Sequence, residues 1–186
     1  MPTLLDMEMS AACEVVGLRE IKRVEACGVP MSAIAKLGQF QDQFGVARIV
    51  NTTKNLFEPD PEGRLAMIMP VIAPNVDFGE TGIVDLIAFH TCCPAQLLRR
   101  TGDGWALGIE LLDQDLPVRV VSNPLAWLAL AGEAMLILDW DAPRSFWNAI
   151  RRGPGLIVES DSIRRRLLRK MDRSVAFPHI EVPLDA

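Results

Sequence analysis

The sequence contains no tyrosine, and composition offers no physical reason for that. It contains two histidines, His90 and His179, and four cysteines, Cys13, Cys27, Cys92 and Cys93. With so few imidazoles and no second cysteine cluster, no zinc-ligand spacing is present. The cysteines show no framework spacing, and adjacent cysteines rarely bond each other, so reduced thiols in a cytoplasm are expected. Residues 1–6 carry no basic region followed by an apolar run, so no secretion signal is read. An uninterrupted long apolar run is also missing. The longest such stretch, residues 120–138, is punctuated by Ser122, Asn123, Pro124, Gly132 and Glu133. A spanning helix needs about 20 mainly apolar residues. Two strands and a short helix explain these letters better, so no membrane association is expected. No complete catalytic or ligand-binding motif occurs.

What is present is an ordinary globular composition. Of 186 residues, 49% are hydrophobic and 23% charged, which argues against disorder. A chain of this length buries a substantial core without staples. The net charge of −5 speaks against a generic polyanion binder. The charge is uneven, however. Residues 143–173 hold 9 basic and 3 acidic residues, whereas residues 1–142 hold 10 basic and 19 acidic. A local basic face on an acidic protein is therefore available.

Residues 10–40 have apolar positions at three- and four-residue steps and predict helix, broken at Gly28-Val29-Pro30. Ser32 can cap a second short helix through Leu37, with Gly38 as its stop. Strand texture begins at Gly45. Residues 46–50, 65–72 and 83–89 predict strands, and the dense turn signal of residues 58–63 suggests a hairpin whose second strand is buried on both faces. Residues 73–82 read as a loop, residues 97–101 as extended and residues 105–112 as helical. From residue 118 a strand–helix alternation runs to residue 171. Its strands are residues 118–121, 134–138 and 156–158, and Ser122 or Asn123, Asp141, and Ser160 or Asp161 stand at the helix caps. Such alternation means crossover units and a mainly parallel sheet. The expected fold is mixed α/β. A helical appendage occupies residues 1–40, a single α/β domain residues 41–173 and an extended arm residues 174–186.

Several residue sets can carry chemistry. Asp139 and Asp141 close one predicted parallel strand, and Glu159 and Asp161 close the next. Both pairs would emerge at the carboxyl edge, where α/β proteins place ligands. Converging carboxylates there can hold Mg²⁺, while acidic residues at helix starts also serve as plain caps. Arg164, Arg165, Arg166, Arg169, Lys170 and Arg173 crowd the last helix, behind Arg144, Arg151 and Arg152 on the helix before it. Together they can neutralise phosphates, or simply form a solvated helix face. No aromatic residue interleaves this run, so base stacking is not indicated. His90-Thr91-Cys92-Cys93-Pro94 sets thiols beside an imidazole, yet cysteine is also a common small hydrophobe. Residues 24–37 loosely fit a helix-turn-helix, but Val24 and Arg23 stand at unsuitable positions and a packing pair explains them. Asp85 lies within an apolar strand, where a buried carboxylate needs a partner such as Arg99 or Arg100. Otherwise it faces solvent on an edge strand.

The segment Ser122-Asn123-Pro124-Leu125-Ala126-Trp127, running on through Gly132, resembles the first motif of toprim domains in phage and plasmid primases. There a strand ends in Glu-Gly and the following helix carries an acidic residue. Glu159-x-Asp161, ahead of an arginine-rich helix, is similar to that family's Asp-x-Asp motif, and residues 65–89 resemble its preceding β-rich segment. The family's general acid/base glutamate falls on Ser122 here, its glycine on Asn123 and its helix acid on Ala126. The resemblance thus implies a degenerate copy kept for binding. Three readings remain open. One is a non-catalytic binder of nucleic acid or a replication partner, using Arg151, Arg152, Arg164, Arg165, Arg166, Arg169 and Lys170. Another is a Mg²⁺-dependent phosphoryl-transfer or nuclease enzyme using Asp139, Asp141, Glu159 and Asp161. The third is a structural or assembly protein.

Overall fold

The computed structural model describes residues 2–38, 44–52, 55–75 and 80–174. The expected arm, apart from Ser174, lies outside them. The chain opens with α1 (Leu4–Glu14), α2 (Leu18–Ala26) and α3 (Met31–Leu37). Thr3 starts α1 through a reciprocal cap: its hydroxyl accepts the Asp6 amide, and the Asp6 carboxylate accepts the Thr3 amide. The helix breaks at Gly17, whose amide donates to Glu20 in the first turn of α2. This break was not expected, because the spacing of apolar residues runs on across it. Pro30, rather than Ser32, precedes the first residue of α3. Residues 1–40, expected as an appendage, contribute Met9, Ala12, Val24, Val29, Ala33 and Leu37 to the buried core.

An antiparallel sheet, sheet A, follows: β1 (Gly45–Asn51), β2 (Phe57–Pro59), β3 (Arg64–Asn75), β4 (Glu80–Phe89) and β5 (Leu98–Arg99), in the order β2-β1-β3-β4-β5. The turn at residues 58–63 does not join neighbours, because β2 and β3 flank β1. Residues 66–71 of β3 are buried without interruption, as expected for a strand with partners on both sides and layers on both faces. The loop expected at residues 73–82 is shorter, since β3 and β4 remain paired out to Asn75 and Glu80.

Sheet B comprises β6 (Ala106–Leu107), β7 (Val118–Val121), β8 (Met135–Ile137) and β9 (Leu156–Val158), in the order β6-β8-β7-β9. The two pairings of β7 are parallel, and β6 is antiparallel to β8. The helix expected over residues 105–112 is instead β6 followed by a 3-10 helix, Ile109–Asp113. Helix α4 (Pro124–Ala129) joins β7 to β8, α5 (Arg144–Arg152) joins β8 to β9, and α6 (Asp161–Ser174) follows β9. Asn123 accepts the Ala126 amide at 3.1 Å and caps α4, with Pro124 in the first turn where its missing N–H costs nothing. Pro143, not Asp141, occupies the N-cap position of α5. At α6 the Ser160 hydroxyl accepts the Ile163 amide.

The core divides by layer. Met9 and Ala12 of α1 pack on one face of sheet A with Ile68, Leu86 and Ala88. The other face, through Met67, Met69, Ile87 and Phe89, shares a cluster with Val24 of α2, Leu37 of α3, Leu125 and Leu128 of α4, and Val121 and Leu136 of sheet B. The far face of sheet B, through Val118, Val120, Met135 and Ile137, packs on Phe146, Trp147 and Ile150 of α5 and Leu167 of α6. The layers are therefore α1, sheet A, the α2–α4 layer, sheet B, then α5 and α6. Among the described residues no helix is long and apolar enough to cross a membrane.

Candidate nucleic-acid interface at the carboxyl edge of sheet B

From β7 the chain crosses through α4 to β8 on one side, then through α5 to β9 on the other side of β7. Helices α4 and α5 pack on opposite faces of the sheet. The direction of winding therefore reverses at β7, and its carboxyl end, beside that of β9, is a topological switch point. Open α/β sheets place ligands in the crevice outside such a point. Here the Ser122 amide, just beyond β7, donates to the Glu159 carboxylate just beyond β9, at 3.0 Å.

The four strand-end carboxylates engage four different settings. Glu159 holds Ser122. Asp139 accepts the Asp141 amide at 2.8 Å and pairs with Arg99 at 3.1 Å. Asp141 pairs with Lys170 of α6. Asp161 is the exposed first residue of α6. Among the described residues no group of three or more His, Cys, Asp or Glu side chains is arranged to hold a metal ion.

Asp85 is the fully buried carboxylate of sheet A, and its partners are backbone amides. A register shift after the Val71–Asp85 pair puts Val84 and Asp85 on the same face of β4, the one turned towards sheet B. Oδ1 accepts the amides of Leu86, Arg100 and Thr101, and Oδ2 those of Gly102 and Gly104, all within 3.0 Å. Neither Arg99 nor Arg100 meets Asp85 with its guanidinium by hydrogen bond. Arg99 instead donates to the Gly102 carbonyl at 3.0 Å and to Asp139. Arg100 forms a two-pronged pair with Glu8 of α1, at 2.9 and 3.0 Å, and that hydrogen-bonded carboxylate raises the guanidinium pKa. Gly104 is required: a Cβ there would lie 2.8 Å from Asp85 Cβ and 2.9 Å from Val71 Cγ1. The loop held this way delivers the chain to Trp105 and β6. The Trp105 carbonyl accepts the amides of Leu138 and Asp139, fixing it at the carboxyl end of β8.

Helix α6 begins beyond β9 and returns to the end of β8. Lys170 reaches Asp141, and the Arg166 guanidinium lies 4.1 Å from the centre of the Trp140 ring. Leu167 is buried against the α5 side of the sheet. Arg164, Arg165, Arg166 and Arg169 are exposed. Among the residues whose side chains are described, which in α6 end at Met171, none of these four is in a salt bridge. Arg165 and Arg169 donate one turn back, to the carbonyls of Asp161 and Arg165, at 3.3 Å each. Arg151 and Arg152 are exposed in the last turn of α5, at the far end of that helix from Asp141 and Lys170.

Sequence spacing missed the aromatic neighbours of this helix. Trp105, Phe146, Trp147 and Trp140 form an unbroken run of ring contacts, with centroid separations of 6.1, 5.0 and 6.0 Å, and it ends under Arg166. The pairing of β6 with β8 brings residues so distant in sequence together, and no local pattern announces it. Elsewhere, Cys92 and Cys93 are exposed free thiols, and a hydrogen bond from the Cys93 thiol to Cys92, together with the charge of that neighbour, pushes the Cys93 thiol pKa up, against a nucleophilic role.

No protein-family model, no curated protein and no solved structure matches this chain.

Proposed function

We propose that this is a non-catalytic, toprim-like α/β protein of the phage or mobile-element kind, and that it binds nucleic acid through α6. The observation that carries the reading is the exposed arginine set. Like charges one turn apart cost a helix roughly 0.2–0.5 kcal/mol per pair. Packing accounts for Lys170, which pairs with Asp141, and for Arg166, which lies on Trp140. It does not account for Arg164, Arg165 and Arg169, which have no carboxylate partner among the residues whose side chains are described, which in α6 end at Met171. Phosphates supply the missing counter-charge, and a protein contacting them through guanidinium groups binds in a salt-dependent way without reading sequence.

The toprim-like part of the proposal has its own support. A shared catalytic centre in that family requires the first motif and the acidic pair to converge. Here the matching positions, Ser122 and Glu159, are in hydrogen-bond contact. Ser122 has no carboxylate to act as the family's general acid/base, which favours binding over nucleotidyl transfer. The test is an electrophoretic mobility shift at low salt on single-stranded and duplex DNA and on RNA. The expected result is binding by the native chain and loss of at least tenfold in affinity in the triple variant Arg164→Glu, Arg165→Glu, Arg169→Glu. Absence of binding at low salt, or full binding by the triple variant, would refute the proposal.

A further inference from the structure

We infer that this surface takes single-stranded rather than duplex nucleic acid, with Trp105 and Trp140 as its stacking platform. The inference rests on the nucleic-acid reading of α6 and adds the class of strand. Among the described residues Trp105 is the aromatic in the set of exposed large hydrophobic side chains, at 37% accessibility, whereas Trp127 and Trp147 are buried. Its backbone is pinned by the Leu138 and Asp139 amides, so the ring stands where β8 ends. Trp140 follows that same strand end, half-buried, with Arg166 against its face. Every step from Trp105 through Phe146, Trp147 and Trp140 to Arg166 is 6.1 Å or less. The exposed Trp105 and the half-buried Trp140 thus both border the carboxyl end of β8, and Arg166 joins the second of them to the arginine-bearing face of α6.

That combination suits an unpaired strand. Bases of a duplex are already stacked and present only their edges, so a duplex can use the arginines but not the ring faces. An unpaired base has a free π-face, and aromatic stacking together with a cationic track is the usual means of holding such strands without sequence preference. Arginine stacked on an aromatic ring belongs to the same mode, because its planar cation can contact a phosphate while the ring contacts a base. Stacking is indifferent to the sugar, so DNA and RNA strands share this chemistry.

The experiment measures the affinity of oligo-dT, oligo-rU and a DNA duplex of equal nucleotide count by fluorescence anisotropy at low salt, and follows tryptophan emission in parallel. Because Trp127 and Trp147 are buried, quenching reports on Trp105 and Trp140. The expected outcome is at least tenfold tighter binding of one or both single strands than of duplex, with quenched emission. Trp105→Ala is expected to remove about tenfold in single-strand affinity, the loss of roughly one stacked base, and to leave duplex binding unchanged. Trp105→Phe, which keeps a ring, is expected to recover most of that loss. Equal affinity for single strands and duplex with unquenched emission would overturn the inference while leaving the proposed nucleic-acid binding intact. Binding of none of the three polymers would overturn both. Should Trp105→Ala fail to fold, the native quenching and the Phe variant still decide the matter.

Discussion

Asp85 on β4 and Asp139 beyond β8 carry the same group, and the two sheets use it in different ways. In sheet A the carboxylate is fully buried and five backbone amides converge on it. At the edge of sheet B, Asp139 is about a quarter exposed and shares its work between one guanidinium and one amide. Its neighbours Asp141, Glu159 and Asp161 are exposed. The first arrangement fixes where the chain goes, because the loop after β5 has its amides committed to one acceptor. The second leaves charged side chains in contact with water, where they can be exchanged for a ligand. A buried polar group is costly to strand and an exposed one is not, so the two regions should answer mutation very differently.

The largest effect is expected at Asp85. Replacing it with Ala strands the buried amide of Gly104 and the part-buried amides of Thr101 and Gly102, and a buried amide without a partner costs about 1–3 kcal/mol. Urea unfolding is expected to show a loss of about 2–4 kcal/mol. A loss below about 1 kcal/mol would mean that the loop finds water or other acceptors, and the contrast between the sheets would collapse. Gly104→Ala tests the same cradle from the other side. The added methyl collides with Asp85 and Val71, and overpacking of this kind costs about 1–3 kcal/mol.

Smaller effects belong to sheet B. Asp139→Asn removes a partly exposed ion pair, with Arg99 at 19% and Asp139 at 25% side-chain exposure. The expected loss is about 1 kcal/mol, read most cleanly from a double-mutant cycle with Arg99. The smallest change in stability is expected at Arg165→Ala and Arg169→Ala, within about 0.5 kcal/mol of the native chain and tending to stabilise, because like-charge repulsion on α6 is relieved. A loss above about 2 kcal/mol at either position would assign these arginines to folding and remove the main support for a binding role.

The sequence was most legible where local chemistry marks the ends of elements. The β7–β9 alternation follows Asn123, Pro124, Gly132, Gly153 and Ser160, each a cap or stop with its own backbone reason. The break between α1 and α2 was hidden because Val15, Val16 and Leu18 continue the helical spacing across Gly17. Strand β6 pairs with β8 over two residues, too short for any alternation to register, and so residues 105–112 suggest helix. The partners of Asp85 were beyond reach for a different reason. They are backbone amides, which every residue but proline carries, and the register shift that aims the carboxylate at them is a property of sheet pairing. The neighbourhood of Trp105, Trp140 and Arg166 likewise depends on that pairing, so the arginine run suggests a helix without aromatic company.

The most direct test of the account is the salt dependence of oligonucleotide binding by the native chain and by the triple variant Arg164→Glu, Arg165→Glu, Arg169→Glu. Each phosphate contact on a single strand contributes about −0.7 to the slope of log affinity against log salt concentration. If the three arginines are the phosphate contacts, the variant's slope should be shallower by about 2. Identical slopes would contradict the claim that α6 is the working surface of this protein.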